Sequence, residues 1–346
     1  MRVLEVSRYK TNFADHQLPF VTEQGEAIAQ ELRKLDNGHL TLDNGASAVE
    51  YFLVKGNYVT AVRELKKKIR EFKPDIVHAH YGLSAITAEL QGLVPVVTTF
   101  HNGETLNPIV NLMSSLMSLR AKHVIYVAQH IRDLSYFKAK NYSIIPCGVP
   151  MEEMVITPKE EARQRLGWDP EKKYILFGGA FDNERKNYAL LRDAVARINE
   201  QSPITNHQSP IECVEMKNLT RSECVLRMNA CDLFALPSHS EGSPQALKEA
   251  MACNCPIVAT DVADIKYLLG NLPGHYVLPN KKGNDAWWKG DEHSAEELAT
   301  LLKQALAFER RTEGRKRIVE LGYTNELVAK KIIAIYQQVL EENKQR

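Results

Sequence analysis

Two glutamates separated by seven residues stand on either side of a predicted helix start. Glu241 precedes the helix, Ser243 is a good N-cap, Pro244 suits the first helical position, and Glu249 follows one to two turns later. The backbone N–H groups of residues 242–246 would then point out of the helix N-terminus, which attracts phosphate. At about 1.5 Å rise per residue, the two carboxylates lie on the order of 10 Å apart. One diphosphate-linked sugar with its ribose spans that distance, so the spacing predicts a sugar-nucleotide site.

Short apolar strands are predicted on both sides of this helix. Residues 232–238 read as a buried strand before it, and residues 256–261 as the next strand after it. A bare Glu-x7-Glu is weak evidence, because any charged helix can supply it. The alternative interpretation is a capped surface helix with solvated glutamates. The flanking strands and the Gly-Ser-Pro after the first glutamate favour the binding site.

With these flanks, the segment resembles the retaining GT-B glycosyltransferases of family 4, whose signature is two glutamates at this spacing. The resemblance implies an α/β fold of two Rossmann-like doubly wound domains that face an interdomain cleft, with a C-terminal helix crossing back to the N-terminal domain. It implies a retaining, hexosyltransferase-type enzyme that moves a sugar from a UDP- or GDP-linked donor to a glycan or lipid-linked acceptor. Surface polysaccharide or glycoconjugate biosynthesis is the common role in such a family.

A second element is the strand, Gly-Gly turn and basic run at residues 175–187. Glycine lets a backbone approach a phosphate closely, and Lys or Arg supplies the counter-charge. Family members carry an Arg directly after the glycine and a Lys later, both on the donor diphosphate. Here Ala180 follows Gly179 in place of that Arg, Lys186 matches the second position, and Arg185 is a candidate for the missing charge. A solvated loop with ordinary basic residues is the alternative.

The resemblance assigns roles to these residues. Glu241 is expected to orient sugar hydroxyls, Glu249 to hold the ribose, and Lys186 to stabilise the departing diphosphate. The nucleotide base is expected against the backbone of residues 214–219. The donor-binding set is therefore predicted to be Glu249, Arg185, Gly179, Met216, Gly242, Ser243, Pro244 and Gln245.

The mechanism is expected to be same-face attack assisted by the leaving phosphate. No pair of carboxylates facing one sugar carbon, as retaining hydrolases have, can be argued from the spacing. An Asp-x-Asp motif is not found, so neither a metal nor another cofactor is expected.

A third element places His101 just beyond a strand, where open α/β sheets bind ligands. Residues 97–104 resemble the family's Thr-Phe-His-Gly segment, in which the histidine lies near the donor sugar and diphosphate. The predicted catalytic residues are therefore His101, Glu241 and Lys186. The alternative is an ordinary core histidine.

The pair His78 and His80 also ends a strand, and an x-spaced pair can bind metal. No carboxylate or cysteine completes a ligand set nearby in the sequence, so these histidines are expected to shape the floor of the cleft instead. Residues 15–25 lack the family's glycine-rich turn and are expected to recognise the acceptor. The acceptor-side residues are predicted to be Gln24, His80, Tyr81 and Asn102.

Two segments bear on the acceptor and on membranes. Residues 107–120 carry several apolar side chains, which fit either a lipid-linked glycan or an ordinary core helix. The basic run at residues 66–70, with Lys73, fits either an anionic membrane surface or a solvated helix face. Peripheral contact with the inner face of the membrane is therefore one expected interaction.

The composition agrees with a cytoplasmic globular enzyme. The chain has 346 residues, 44% hydrophobic and 25% charged, which suffices for two domains. A net charge of +1 gives no general attraction to nucleic acid. The six cysteines show no Cys-x-x-Cys pairing, and the N-terminus opens on a strand without a long apolar signal region.

Short β-branched runs alternate with amphipathic segments, which predicts parallel sheets with crossover helices. The predicted strands are 3–6, 51–54, 76–79, 94–98, 124–127 and 143–145, followed by 174–177, 211–214, 233–236 and 257–259. The predicted helices include 23–35, 58–72, 295–308, 309–321 and 325–345, and residues 281–293 are expected to form a surface loop. Gly and Pro at residues 146–150 mark the hinge. The domains are predicted as 1–149, 150–328 and a returning helix at 329–346.

Two other functions fit the same pattern. A GT-B sugar-nucleotide epimerase would act on its donor without an acceptor. A non-catalytic sugar-nucleotide-binding protein is suggested by Ala180 and by the atypical segment 15–25.

Overall fold

The computed structural model describes residues 1–8, 19–36, 48–201, 210–280 and 293–345. The chain divides into two compact units, of which the first comprises Met1–Gly148 and Tyr323–Arg346 and the second comprises Val149–Gly322. The predicted boundaries were 149/150 and 328/329. The predicted surface loop at 281–293 lies outside the described residues except for His293.

The first unit is built on a parallel sheet whose six described strands run in the order β2-β1-β3-β4-β5-β6. The strands are β1 Val3–Arg8, β2 Val49–Val54, β3 Ile76–His80, β4 Val96–Phe100, β5 His123–Tyr126 and β6 Tyr142–Ile144. Its first helices are α1 Pro19–Asp36, α2 Tyr58–Phe72, α3 Gly82–Glu89, α4 Pro108–Ser118 and α5 Gln129–Leu134.

The second unit has a parallel sheet in the order β11-β10-β9-β7-β8 among the described strands. The strands are β7 Tyr174–Phe177, β8 Glu212–Glu215, β9 Leu233–Leu236, β10 Ile257–Thr260 and β11 His275–Leu278. The helices are α6 Lys159–Leu166, α7 Tyr188–Gln201, α8 Arg221–Ala230, α9 Gln245–Ala252, α10 Ile265–Leu269, α11 Ala295–Leu306 and α12 Gly314–Glu320.

The last helix, α13 Asn325–Lys344, belongs to the first unit. Its buried side chains Ile332, Ile333, Tyr336 and Val339 join a core cluster with Val3 and with residues of α1. The first unit is therefore assembled from the two ends of the chain.

In each sheet, the direction in which the chain adds strands reverses at one point of the strand order. The chain winds outward to one side from β1 and then to the other from β3, and it does the same from β7 and β9. In open α/β sheets, ligands bind at the carboxyl ends of the strands next to such a switch point. A site is therefore expected at the loops after β7 and β9 in the second sheet, and at those after β1 and β3 in the first.

Candidate functional site

The loops after β7 and β9 meet at Glu241. Lys186 donates from Nζ to Glu241 Oε1 at 2.7 Å, and Arg185 donates from Nη1 to Glu241 Oε2 at 3.1 Å. Ser238 donates its hydroxyl to Oε1 at 2.7 Å, and Arg185 also donates to the carbonyl of Ser240 at 2.7 Å. The structure therefore brings together three of the residues that the sequence predicted for the donor site.

Burial alone would raise the pKa of the Glu241 carboxyl, because only 5% of the residue is exposed. The charges of Lys186 and Arg185 outweigh that effect and hold the pKa below its usual value. Glu241 is therefore an ionised carboxylate that fixes two cations at the end of the sheet.

Gly179 packs directly against the stem of Lys186. A Cβ atom at Gly179 would lie 2.9 Å from Lys186 Cγ, which is too close for two carbon atoms. The Gly179 carbonyl accepts a hydrogen bond of 2.9 Å from the amide of Met216. The turn at Gly179 thus leaves room for Lys186 and is hydrogen-bonded to the segment 214–219, which was predicted to hold the base. The amide of Met216 is occupied by this hydrogen bond.

The helix after Glu241 begins one residue later than predicted, and the predicted role of Ser243 as N-cap is wrong. α9 begins at Gln245, and Pro244 is its N-cap residue, with an extended backbone and no side-chain cap. The Ser243 hydroxyl donates instead to Asp264 Oδ2 at 2.7 Å. Gly242 and Ser243 therefore lie before the helix, and its first N–H groups begin at Gln245.

Asp264 lies beneath this turn. Burial raises its pKa to about 6, against the charge of the buried Lys248 and the hydrogen bond from Ser243. Neither Asp264 nor Lys248 was predicted from the sequence. A Glu-x7-Glu helix start shows which residues precede the helix, but not which carboxylate a neighbouring loop brings beneath it.

The second glutamate has a basic partner of its own. Arg221, the first residue of α8, donates from Nη1 to Glu249 Oε1 at 2.7 Å, and its Nε lies 3.4 Å from Glu153 Oε2. Burial raises the pKa of Glu249, and Arg221 opposes that rise. Arg221 escaped the sequence analysis because it lies 28 residues from Glu249 and in no motif.

In the first unit, His101 lies at the end of β4 within a group of rings. Its Nε2 is 3.1 Å from His80 Nδ1, and its ring centroid is 4.7 Å from that of Tyr81 and 5.1 Å from that of Phe20. His101 Nδ1 faces Cys147 Sγ at 3.8 Å. His80 is fully buried behind His101, so its predicted contact with the acceptor stays a prediction.

A buried carboxylate holds the backbone at this point. Glu104 accepts from the amide of Gly82 at 3.0 Å and from the amide of His101 at 3.2 Å, and burial raises its pKa to about 7. Tyr81 has a φ of 67° and ψ of 146°, and Asn102 has a φ of 94°. Non-glycine residues adopt such angles at a cost of roughly 1–3 kcal/mol, and strain of this kind concentrates at functional sites.

The expectation that no carboxylate lies near the histidine pair is wrong. Glu5 Oε2 is 2.7 Å from His80 Nε2 and 3.4 Å from His78 Nδ1, and all three side chains are buried. Their donor atoms lie within 4.8 Å of one another, a spacing that a metal ion could share. His78, however, has a partner on each ring nitrogen, with Tyr336 Oη at 2.6 Å and Thr99 Oγ1 at 2.7 Å. The ring nitrogens of both histidines therefore have partners without an ion, whereas Glu5 Oε1 is buried with no hydrogen-bond partner among the described residues.

The remaining acceptor-side prediction, Gln24, is buried inside α1. Residues 19–25 begin that helix instead of forming a loop, while residues 15–18 lie outside the described residues.

Helix α4 carries its apolar side chains outward, so the interpretation as an ordinary core helix is wrong. Its buried residues are Asn111, Ser114, Ser115 and Ser118. Its exposed large side chains are Ile109, Leu112, Met113 and Leu116, with Leu119 following. We call this surface the α4 face. Among the described residues, none of the helices combines the length and apolarity that a membrane span requires.

Comparison with known families matches both units. Residues 25–153 match the model of Glycosyltransferase Family 4, and residues 172–304 match that of Glycosyl transferases group 1. The family resemblance stated from the two glutamates is therefore confirmed.

Two curated relatives illustrate the match. A Bacillus subtilis glycosyltransferase, TuaC, whose name places it in teichuronic acid biosynthesis, is 26% identical over 59% of this chain and 57% of its own length. The N,N'-diacetylbacillosaminyl-diphospho-undecaprenol alpha-1,3-N-acetylgalactosaminyltransferase of Campylobacter jejuni is 21% identical over 93% of this chain and 91% of its own. The matches to the first relatives, from Bacillus and Pseudarthrobacter, span less than two thirds of their length.

Solved structures share the fold. Sucrose-phosphate synthase from Thermosynechococcus elongatus has a TM-score of 0.75 at 17% identity, over 99% of this chain and 100% of its own. HepE from Anabaena, crystallised with UDP, has a TM-score of 0.68 at 14% identity, over 98% and 100%. The predicted fold of two doubly wound α/β domains of the GT-B type is confirmed.

Proposed function

Because the chain belongs to the family 4 (group 1) glycosyltransferases, we propose that it transfers a sugar from a nucleotide-diphosphate sugar to a glycan or lipid-linked acceptor. The observation that carries this proposal is the cluster at the switch point of the second sheet. There, Glu241 holds Lys186 and Arg185, and Glu249 is paired with Arg221. A bound diphosphate requires nearby cations, and the hydroxyls of a ribose require an acceptor such as a carboxylate.

Lys186 and Arg185 are the groups that take the diphosphate. Both side chains are already ion-paired with Glu241, so they need little rearrangement to face an incoming phosphate. Arg185 supplies the charge that the family has at the position of Ala180. Glu241 orients the sugar hydroxyls, and Glu249 accepts hydrogen bonds from the ribose.

The chemistry that fits this cluster is retaining and independent of metal. Bond breaking at the anomeric carbon places negative charge on the diphosphate, which Lys186, Arg185 and the N–H groups at the start of α9 stabilise. The acceptor hydroxyl attacks from the face that the phosphate leaves, and a phosphate oxygen takes its proton. His101 is the third catalytic residue, since its ring lies at the end of β4, where sheets of this kind bind ligands.

A lipid-linked acceptor suits the α4 face of the first unit. Tyr136 and Phe137 are also exposed apolar side chains of this unit, and the amide of Tyr136 donates to Asn111 Oδ1, which ties their segment to α4. Lys138 and Lys140, both exposed, follow them. An apolar surface with a basic rim binds the interface of an anionic membrane, where a lipid-linked acceptor would lie. The Campylobacter relative, named for a diphospho-undecaprenol substrate, supports this choice.

The donor experiment is a binding and turnover panel. The protein is incubated with UDP-, GDP- and ADP-sugars, and donor binding is measured by calorimetry beside nucleotide release. Lys186→Met and Glu249→Gln are each expected to lower the affinity for one donor at least tenfold. Lys316→Met, at an exposed position on α12, is the control and should leave that affinity unchanged. Binding of no nucleotide sugar would refute the transferase, and release of an isomerised sugar without acceptor would identify an epimerase. Binding without turnover over many acceptors would identify a binding protein.

The membrane experiment is sedimentation with vesicles of phosphatidylglycerol and phosphatidylethanolamine. Leu112→Ser with Leu116→Ser is expected to abolish binding without lowering the melting temperature, because both side chains are exposed. Val155→Ser with Val319→Ser removes exposed apolar surface from the second unit and serves as the control. Loss of binding in Lys67→Gln with Arg70→Gln, but not in the leucine variant, would assign docking to α2.

A further inference from the structure

Three side chains form a continuous line from the interior of the first sheet to its carboxyl end. Glu5 on β1 contacts His80 on β3 at 2.7 Å, and His80 contacts His101 after β4 at 3.1 Å. The parallel register places Glu5 opposite His78, so that His80 lies two residues further along on the same side. The rings of His80 and His101 stack at 5.3 Å with an interplanar angle of 27°.

The proton positions along this line follow from its buried end. A carboxylate only accepts hydrogen bonds, so the proton between Glu5 and His80 must be on His80 Nε2. Neutral His80 then offers Nδ1 as an acceptor, and His101 can satisfy it only by donating from Nε2. His101 is thereby left with Nδ1 unprotonated, toward Cys147.

We propose that Glu5 and His80 are positioning residues that fix His101 as the Nε2–H tautomer and stabilise its protonated form. The proposal deepens the proposed function and rests on it for its catalytic consequence, because His101 is the group that would act on the substrate. A second proton enters at His101 Nδ1, and the charge of the imidazolium is balanced through His80 by Glu5.

The charge state of Glu5 supports this line. Burial would raise its pKa, but His78 and His80 lower it to about 2. Burial lowers the pKa of His80 itself, which disfavours a lasting charge on the inner ring. The added proton therefore belongs on the outer ring, where His101 is partly exposed.

The other groups around the line are accounted for. His78 is held on both nitrogens by Tyr336 and Thr99. Glu104 binds the backbone amide of His101, and the aromatic rings of Phe20 and Tyr81 flank its imidazole. Tyr51 and Tyr336 lie near Glu5, and burial raises the pKa of each. Among these described groups, Glu5 is the carboxylate joined to His101 through a ring.

The test is nitrogen-15 NMR of the histidine rings in the protein without substrate, with His101 assigned by loss of its signals in His101→Gln. At neutral pH, wild type is expected to show Nε2 protonated and Nδ1 unprotonated. Glu5→Gln is expected to lower the pKa of His101 by about one unit, a tenfold loss of proton affinity. Glu5→Asp should recover part of that loss, and Glu71→Gln, on the surface of α2, should change nothing.

The wild-type spectrum makes the proposal falsifiable even if Glu5→Gln fails to fold, because the opposite tautomer of His101 would overturn it. A metal bound at Glu5, His78 and His80 in the purified protein would also overturn it, since an ion there breaks the Glu5–His80 hydrogen bond.

Turnover separates this proposal from the proposed function. Above the pKa of His101, Glu5→Gln should lower kcat about tenfold and leave the donor Kd unchanged, because the donor residues lie in the other unit. If Glu5→Gln binds donor and transfers sugar with an unchanged pH profile, the positioning role of Glu5 and His80 is refuted and the transferase is not. If wild type shows the Nε2–H tautomer of His101 but binds no donor, the transferase is refuted and the positioning role of Glu5 and His80 stands.

Discussion

Replacing Lys186 with methionine removes one of two basic partners of Glu241 and nearly preserves the shape of the side chain. Breaking a buried ion pair on one side costs about 3–5 kcal/mol. Arg185 and Ser238 still donate to the same carboxylate, so the expected loss is smaller, about 2 kcal/mol. For a unit the size of Val149–Gly322, 1 kcal/mol shifts the melting temperature by about 2–4 °C, which gives about 4–8 °C.

A double variant separates folding from binding. Lys186→Met with Glu241→Gln removes both charges of the pair. Replacing both costs far less stability than leaving one buried charge without its partner. The melting temperature is therefore expected to recover most of the loss. Affinity for the nucleotide sugar is not expected to recover, because the cation for the diphosphate is still missing.

Calorimetric unfolding and donor titration are carried out on wild type, both single variants and the double variant. Lys316→Met on α12 is the control, since its ammonium group is exposed. A double variant as unstable as Lys186→Met would refute the reasoning, because removing the carboxylate of Glu241 would then not relieve the cost of losing Lys186. So would a Lys186→Met protein that melts within 1 °C of wild type.

Three further predictions concern other parts of the molecule. Gly148→Ala should destabilise the protein by about 1–3 kcal/mol in urea unfolding, because its Cβ would lie 2.7 Å from the backbone of Asn325; no loss would refute this clash. The pKa of Asp264 is raised from 3.8 to about 6, so the native state binds the extra proton and stability falls as pH rises through that window. Asp264→Asn should flatten the pH dependence of unfolding by on the order of 2–3 kcal/mol, and an unchanged profile would contradict it. Arg221→Gln should raise the pKa of Glu249 and lower the melting temperature, and calorimetry near pH 6 and pH 8 checks both.

The strands were predictable because parallel strands buried on both faces read as continuous β-branched runs. Strand β11 was not predicted, since His275 and Tyr276 give it a polar start between Gly274 and Pro279. The predicted helix at 309–321 is shorter, with α12 beginning only at Gly314. Local pattern thus located most elements, but not their ends or a strand whose apolar signal is weak.

The site was predictable where its residues share one segment. Glu241, Lys186 and Arg185 each follow a strand of the second sheet, and that position is visible in the sequence. Glu5 was missed because it lies 75 residues from His80, and only the pairing of β1 with β3 brings them together. The α4 face was misread because a helix of alternating apolar and small polar residues has two possible inner sides.

The return of α13 to the first unit sets an order of assembly during synthesis. The second unit is one continuous segment, Val149–Gly322, and can fold as soon as it leaves the ribosome. The first unit must wait for Ile332, Tyr336 and Val339, which close its core. Tyr336 also binds His78, next to Glu5, so the packing around the line of Glu5, His80 and His101 is completed only with the last helix. A chain stopped before Asn325 would thus carry the donor cluster without the support beneath His101.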